Sequence, residues 1–261
     1  MSDPARLADL ERRRAFLCRL EPQRALGSLD EAAAFLNDRG MLTRGEDSAL
    51  PSLFRACHEP PYRAGSGGFG EWPATRYPWF WELAQRDGVY ELSIHRGKSL
   101  LLTAATAALA DPICRAELER YEREDRDAAV LLRHLGDAGP SPLDDLKFEL
   151  GWSAAKLRSV RSPLQRIGAV VSHGVQLETG AGGHVHSSVL ARWDQAFPAP
   201  ADGPAGLDEL VCAGVRAAVL APEPELRRWF SWTWLWDGGL VDRLVAGGRL
   251  VRPAAGAIAA A

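Results

Sequence analysis

The chain has 261 residues, of which 46% are hydrophobic and 25% are charged, a composition typical of a globular protein with a sizeable core. This composition excludes general disorder, and no apolar run reaches the roughly 18 to 20 residues that a membrane-spanning helix needs. The 31 basic and 34 acidic residues give a net charge of -3, so any nucleic acid must meet a local basic face. The N-terminal segment lacks the apolar stretch of a secretory signal, and we expect a cytoplasmic protein.

The cysteines and glycines match no known metal or cofactor pattern. Four cysteines lie far apart without a Cys-x-x-Cys pair, at Cys18, Cys57, Cys114 and Cys212. This spacing fits neither a zinc ribbon nor a dense disulfide framework and predicts buried reduced thiols. The glycine-rich segment 65–70 lacks the flanking strand and helix of a dinucleotide-binding loop. We therefore expect no cofactor and no metal.

The first half of the chain alternates helical and extended patterns. Capping residues, glycines and prolines mark where these patterns begin and end. In chain order the sequence predicts a helix over 3–20, a helix capped by Ser28 or Asp30 and ended at Gly40, an irregular loop over 58–78, a short helix over 79–85, a hairpin over 89–103 and a helical stretch over 104–126.

The central stretch 127–198 has the most distinct pattern. It predicts three short helices joined by tight turns, followed by two strands and a glycine-rich tip between them, which is the order of a winged helix. After a proline-rich linker, the sequence predicts a second winged helix. The pattern is weaker there, and both its helix over 223–230 and its wing are less distinct. The predicted fold class is α+β, mainly α, with tandem winged-helix domains and short β-hairpin wings. The predicted domains are an N-terminal helix over 1–27, a winged-helix-like region over 28–126, a central winged helix over 127–198 and a C-terminal winged-helix-like domain over 205–261.

The third helix of a winged helix enters the major groove of DNA, so its exposed residues should be polar or basic. The segment 153–173 contains several basic residues and no acidic one. Contacts with double-stranded DNA are therefore predicted for four side chains, Lys156, Arg158, Arg161 and Arg166. The alternative is a solvated helix face without a partner, and Pro163 is expected to bend this helix.

The wing and the turn of the first hairpin supply further candidates. Residues two apart share a face of a strand, so His184 and His186 are expected to point together. With His173 they are predicted to contact DNA, because two histidines on an exposed strand fall short of the ligands that zinc needs; plain surface polarity is the alternative. In the first hairpin turn, Arg96 and Lys98 either reach a phosphate or only aid solubility.

Two aromatic clusters lie within residues 72–81 and 229–236. Bases stack on aromatic side chains that are exposed beside a basic groove, and only a few basic residues lie near the second cluster. Both clusters are therefore interpreted as core or interdomain packing.

A series of short motifs follows along the chain: Leu50-Pro51-Ser52-Leu53-Phe54, Trp79 to Ala84, the Tyr90 to Lys98 hairpin, Leu143-Asp144-Asp145-Leu146, Leu164 to Val171 and Arg192-Trp193-Asp194. In this order they resemble the AlkZ-related winged-helix proteins, relatives of the AlkZ and YcaQ bacterial DNA glycosylases. The resemblance covers roughly residues 28 to 200. It implies several winged helices that cradle duplex DNA, in a family that removes bulky alkylated or crosslinked bases.

The catalytic motif of those glycosylases is Gln-x-Gln or Gln-x-Asp in an N-terminal winged helix. This chain has no Gln-x-Gln. Gln85-Arg86-Asp87 matches Gln-x-Asp in sequence, but it lies between a predicted helix and a hairpin. Gln176-Leu177-Glu178 differs from Gln-x-Asp in its last residue and lies in a predicted wing. No catalytic residue is therefore carried over from the family, and enzymatic activity stays open.

Three functional hypotheses follow from the sequence. The leading one is a DNA-binding, glycosylase-related protein in DNA repair or in self-protection against a genotoxin. The alternatives are a winged-helix transcriptional regulator and a non-catalytic protein-interaction scaffold.

Overall fold

The same order of elements occurs three times along the chain. The computed structural model describes residues 4–179, 183–199 and 203–261, and only the backbone within 175–179 and 183–187. Each unit consists of a helix, a short strand, two further helices and a β-hairpin. In each unit the three strands form an antiparallel sheet whose last strand lies in the middle. This arrangement confirms the expected α+β, mainly α, winged-helix-like fold class.

The first unit follows an N-terminal helix, α1 (Pro4–Leu17). Its elements are α2 (Leu29–Arg39), β1 (Met41–Thr43), α3 (Leu53–Cys57), α4 (Trp79–Ala84), β2 (Val89–His95) and β3 (Lys98–Thr103). The Ser28 side chain accepts a hydrogen bond from the Glu31 backbone N–H and so caps the first turn of α2. Between α3 and α4, the expected irregular loop contains a short 3-10 turn, Gly68–Glu71, and a single antiparallel bridge between Pro61 and Pro73.

The middle strand of this sheet is buried on both faces. Alternation along β3 places Leu101 in the core formed with α2, α3 and α4, whereas Leu100 and Leu102 join a second core that the other units share. The sequence of a strand that is buried on both faces is continuously apolar and does not alternate between apolar and polar residues. The first sheet is therefore the layer between the two cores.

A long helix, α5 (Ala104–Glu124), connects the first unit to the second. The second unit contains α6 (Arg126–Ala138), β4 (Ser141–Pro142), α7 (Leu143–Glu149), α8 (Ala154–Arg166), β5 (Val170–Thr179) and β6 (Gly183–Arg192), with a short α9 (Trp193–Ala196) after it. Strands β5 and β6 pair over ten positions, so this wing is longer than the short hairpin expected from the sequence. Helix α8 continues through Pro163 to its end at Arg166.

The third unit is the smallest. It contains α10 (Leu207–Ala218), β7 (Leu220–Pro222), α11 (Glu223–Leu226), α12 (Leu240–Ala246), β8 (Leu250–Val251) and β9 (Ala257–Ala260). The helix expected over 223–230 ends at Leu226, because the chain turns inward to bury Trp229 and Phe230. The division of the chain into independently folding domains stays a prediction.

All four cysteines are free and buried. Burial raises the pKa of the Cys57 thiol to about 12, which keeps it protonated at neutral pH. In the ranges that the structure describes, no helix combines the length and the apolar character needed to cross a membrane.

The turn between α8 and β5 gives a first prediction. Gly168 adopts φ +75°, and a Cβ atom there would lie 2.5 Å from Cys114 Sγ. Gly168→Ala should lower the free energy of unfolding by about 3 kcal/mol, because left-handed strain adds to overpacking of the core. Gly88→Ala is the matched control: it shares φ +75° but has open space around it, so only about 1 kcal/mol should be lost. If urea denaturation shows the same loss of unfolding free energy for Gly168→Ala and Gly88→Ala, the steric explanation is contradicted.

Candidate nucleic-acid interface

The exposed side of α8 forms a shallow groove of about 610 Å³, which we call the α8 groove. Its lining residues are small, polar or basic, namely Ala154, Ala155, Arg158, Ser159, Ser162, Pro163 and Arg166. The helix begins at Ser153, whose side chain accepts from the Lys156 backbone N–H, and its opposite side buries Leu157 and Leu164. The expected inner and outer faces of the helix are thus present, and short side chains let a partner approach the helix closely.

Two of the predicted arginines line this groove together. Arg158 and Arg166 are both exposed, and neither makes an ion pair or side-chain hydrogen bond with any residue in the described ranges. The Arg166 side chain also lies against the first hairpin turn, since a Cβ atom at Gly97 would be 2.9 Å from Arg166 Nε. A guanidinium with free donors is suited to binding a phosphate oxygen pair.

The other two predicted residues of α8 lie on its flanks. Lys156 is paired with Asp127 of α6, so this charge is already balanced by a carboxylate. Arg161 is half-buried and donates to the Gln165 side-chain oxygen at 3.1 Å. Burial lowers the pKa of Arg161, and the nearby Arg158 charge lowers it further. The structure therefore brings two of the four basic side chains to the groove and leaves two beside it.

The wing histidines lie on the strands that follow α8. His173 lies on β5 opposite Val189 and is half-buried, and burial lowers its pKa from the ordinary value. Its ring is therefore neutral near pH 7 and adds no charge to the interface. His184 and His186 pair through their backbones with Glu178 and Gln176, but their side chains lie outside the described residues.

The first hairpin turn is occupied by contacts within the protein rather than being free. Arg96 donates to the Asp47 carbonyl oxygen at 2.6 Å, the Arg228 carbonyl oxygen at 3.0 Å and the Glu225 carboxylate at 3.1 Å. Lys98 is 59% exposed and donates to Asp47 Oδ2 at 2.6 Å. In these positions both side chains hold the turn to other parts of the chain, and their contact with DNA stays a prediction.

A buried histidine completes this group of contacts, which we call the hairpin clamp. His95 Nδ1 lies 2.7 Å from the Trp229 carbonyl oxygen, and Nε2 lies 2.9 Å from Asp47 Oδ1. Both neighbours are hydrogen-bond acceptors, so the buried ring lies between two acceptor groups. Burial acts to raise the pKa of Asp47, but hydrogen bonds from His95 and Lys98 outweigh it and hold this pKa well below its usual range.

The two aromatic clusters pack within the protein. Trp229 and Trp232 are fully buried, and Trp232 Nε1 donates to the Ile167 carbonyl oxygen at 3.0 Å. Trp234, in contrast, is 53% exposed. In the first unit, Trp72 and Trp81 contact each other with ring centres 5.4 Å apart. The expectation of packing is confirmed for the buried tryptophans, whereas Trp81 also borders a cavity.

Sequence reasoning missed this cavity, which we call the Glu91 cleft. It has a volume of about 200 Å³ between the first hairpin and the central wing. Its lining includes one tryptophan, one carboxylate and several hydroxyl groups. The lining residues are Trp81, Glu91, Ser93, Ser99, Gln165, Val170, Val171, Ser172, Gly174 and Ser188. Alternation along β2 places Glu91 and Ser93 on one face of the hairpin, but no local signal indicates that β5 lies opposite them.

Glu91 is the acidic group of this cleft. It accepts a hydrogen bond from Ser99 Oγ at 2.5 Å. Burial raises the pKa of Glu91, although the Ser99 hydrogen bond and the charge of Arg44 act in the opposite direction. Arg44 is held by Trp72, since its guanidinium lies 4.5 Å from that ring centre.

The near-miss catalytic motifs lie elsewhere. Gln85 directly follows α4, and Gln85 and Asp87 are both exposed at the turn before β2. Gln176 and Glu178 belong to β5, and their side chains lie outside the described residues. Neither motif contributes a described side chain to the α8 groove or to the Glu91 cleft.

Comparison with known proteins gives a match in structure but not in sequence. No family model matches this chain, and no curated protein sequence matches it. The fold is similar to the Streptomyces sahachiroi DNA glycosylase AlkZ with a TM-score of 0.53 and 15% sequence identity. The superposition covers 96% of this chain and 67% of that one. At this identity the likeness supports a common fold.

The hairpin clamp gives a second prediction. Asp47→Asn should lower the free energy of unfolding by about 2 kcal/mol at pH 7, because a largely buried charge and its bonds are lost. A carboxylate with a depressed folded pKa stabilises the protein above its unfolded pKa of about 4, and this contribution is lost as the pH falls further. The difference from the wild type should therefore shrink between about pH 4 and pH 2.

Asp30→Asn is the matched control, because Asp30 pairs with Arg86 at 2.7 Å while remaining 89% exposed. A surface pair of this kind contributes less than about 1 kcal/mol. Denaturation curves at several pH values measure both variants. A loss for Asp47→Asn that is no larger than the loss for Asp30→Asn would show that the clamp is energetically unimportant.

Proposed function

We propose that this chain binds double-stranded DNA with the α8 groove and acts as a glycosylase-like protein in DNA repair or in self-protection against a genotoxin. The observation that carries the proposal is the pairing of Arg158 and Arg166 on one exposed helix face without a carboxylate partner among the described residues. The cytoplasmic location expected from the sequence is retained as part of this proposal.

The position of the groove within the fold supports it. Helix α8 is the third helix of the second unit, which is the helix that winged-helix proteins place in the major groove. Its exposed side carries alanines and serines between the arginines, so a duplex can approach the helix backbone closely. The fold is shared with a protein named as a DNA glycosylase, and this likeness favours a role on DNA over the scaffold hypothesis.

A double substitution tests the DNA contact. Arg158→Ala/Arg166→Ala should weaken binding to an unmodified duplex at least about tenfold at low salt, because two charge-assisted contacts are lost. The slope of log affinity against log salt should fall by about two, one unit for each phosphate contact. Fluorescence anisotropy over a salt series measures both quantities.

Arg13→Ala/Arg216→Ala is the matched control for net charge. Both residues are exposed, on α1 and α10, and neither lines the groove. This variant should bind like the wild type. Equal weakening by both double variants would indicate a general charge effect and overturn the assignment of the α8 groove.

A second experiment tests the repair role. The protein is incubated with duplexes that carry alkylated purines, and abasic sites are revealed by mild base cleavage. Abasic sites that form with the wild type, and much more slowly with Arg158→Ala/Arg166→Ala, are the expected result. Sequence-specific binding to a palindromic site without any preference for lesions would instead favour the regulator.

A further inference from the structure

The third helix of the third unit, α12, is surrounded by arginines whose charges are already balanced. In a winged helix this helix normally enters the major groove, and basic side chains around it bind the backbone. Here each of these arginines is paired with a carboxylate, namely Arg243 with Asp237, Arg249 with Glu209, and Arg252 with Glu223 and Asp242. The surface around α12 therefore offers little positive charge to a duplex.

Two other arginines of the third unit have no such partner. Arg227 and Arg228 directly follow α11 and are both exposed. Neither makes an ion pair or a side-chain hydrogen bond with any residue in the part of the chain that the structure describes. The nearest carboxylate in the sequence, Glu225, instead accepts from Arg96 and from the Ala49 backbone N–H. This turn thus carries two guanidinium groups with free donors.

Contacts within the protein fix this turn beside the C-terminal end of α8. Arg96 Nε donates to the Arg228 carbonyl oxygen at 3.0 Å, and the adjoining Gly97 lies against Arg166. Trp232, four residues after Arg228, donates from Nε1 to the backbone carbonyl oxygen directly after α8 at 3.0 Å. The two free arginines of the third unit are therefore held on the side of the α8 groove where Arg166 lies.

The spacing within the α8 groove indicates where a backbone runs. Arg158 and Arg166 are eight residues apart, which corresponds to about 12 Å along a helix axis. The major groove of DNA is also about 12 Å wide, and the phosphates of the two strands form its edges. With α8 in the major groove, one strand then passes Arg158 and the other passes Arg166.

We propose that the third unit contacts the duplex with the turn that carries Arg227 and Arg228, and not with α12. The two guanidinium groups bind phosphates of the same strand that Arg166 contacts. This inference rests on the proposed function, because the α8 groove must first seat the duplex. It also gives the hairpin clamp a role in binding, since Arg96 holds the turn in place for this contact.

A pair of double variants tests this contact. Arg227→Ala/Arg228→Ala should weaken binding to an unmodified duplex about tenfold at low salt and lower the slope of log affinity against log salt by about two. Arg243→Ala/Arg252→Ala is the matched control, because it removes the same charge from the same unit but from balanced pairs. It should keep the slope of the wild type. Fluorescence anisotropy over a salt series measures both variants.

Two further variants separate a phosphate contact from a structural effect. Arg227→Lys/Arg228→Lys retains both charges and should keep the salt slope of the wild type. All four native cysteines are buried, so Arg228→Cys introduces an accessible thiol to which a photocrosslinker can be attached. This label should crosslink to the duplex, whereas the same label at the exposed Ala246→Cys of α12 should not.

The outcomes distinguish this contact from the proposed function. If Arg158→Ala/Arg166→Ala weakens binding but Arg227→Ala/Arg228→Ala changes neither affinity nor slope, the turn is not a contact and the α8 groove stands. Equal weakening by Arg243→Ala/Arg252→Ala, or a crosslink from Ala246→Cys instead of Arg228→Cys, would also overturn the assignment of the turn. No binding of the duplex by the wild type at low salt would reject both proposals.

Discussion

The buried contacts of His95 with Asp47 and with the Trp229 carbonyl oxygen join the first unit to the third. His95 is 1% exposed and joins the end of the first hairpin to a carboxylate in the loop after β1 and to the Trp229 carbonyl oxygen of the third unit. Because an unpaired polar group in this position costs several kcal/mol, the three segments are held in one arrangement. Arg96 adds contacts to Glu225 and Arg228, so the turn joins the first unit to the third. The hairpin clamp therefore fixes the first hairpin turn against the third unit.

The clamp also positions α8. The hairpin turn at Gly97 lies against Arg166, and Trp232, which follows the clamp residue Trp229, donates to the Ile167 carbonyl oxygen just after the helix. The C-terminal end of α8 is thus fixed from two sides, by the first unit and by the third. One consequence is that the α8 groove and the Glu91 cleft, which share this helix, keep a fixed position relative to each other.

Local features of this protein could be read from the sequence, whereas contacts between distant segments could not. Ser28 and Ser153 indicated the starts of α2 and α8 because a cap acts within three residues. The exposure of Arg158 followed from helical periodicity in the same way. The partner of Lys98, in contrast, lies 51 residues earlier in the sequence, and its identity depends on the fold. The Glu91 cleft was missed for the same reason, since its walls come from six separate elements.

The distribution of charge explains why a protein with net charge -3 is compatible with a duplex. Several cations that looked available in the sequence are balanced by carboxylates, as Lys156 is by Asp127 and Lys98 is by Asp47. In the α8 groove, by contrast, Arg158 and Arg166 have no carboxylate partner among the described residues, so positive charge is concentrated on this exposed face. Under the proposed function, two phosphate contacts supply only a small electrostatic part of the affinity, so selectivity for a lesion must come from contacts outside the α8 groove.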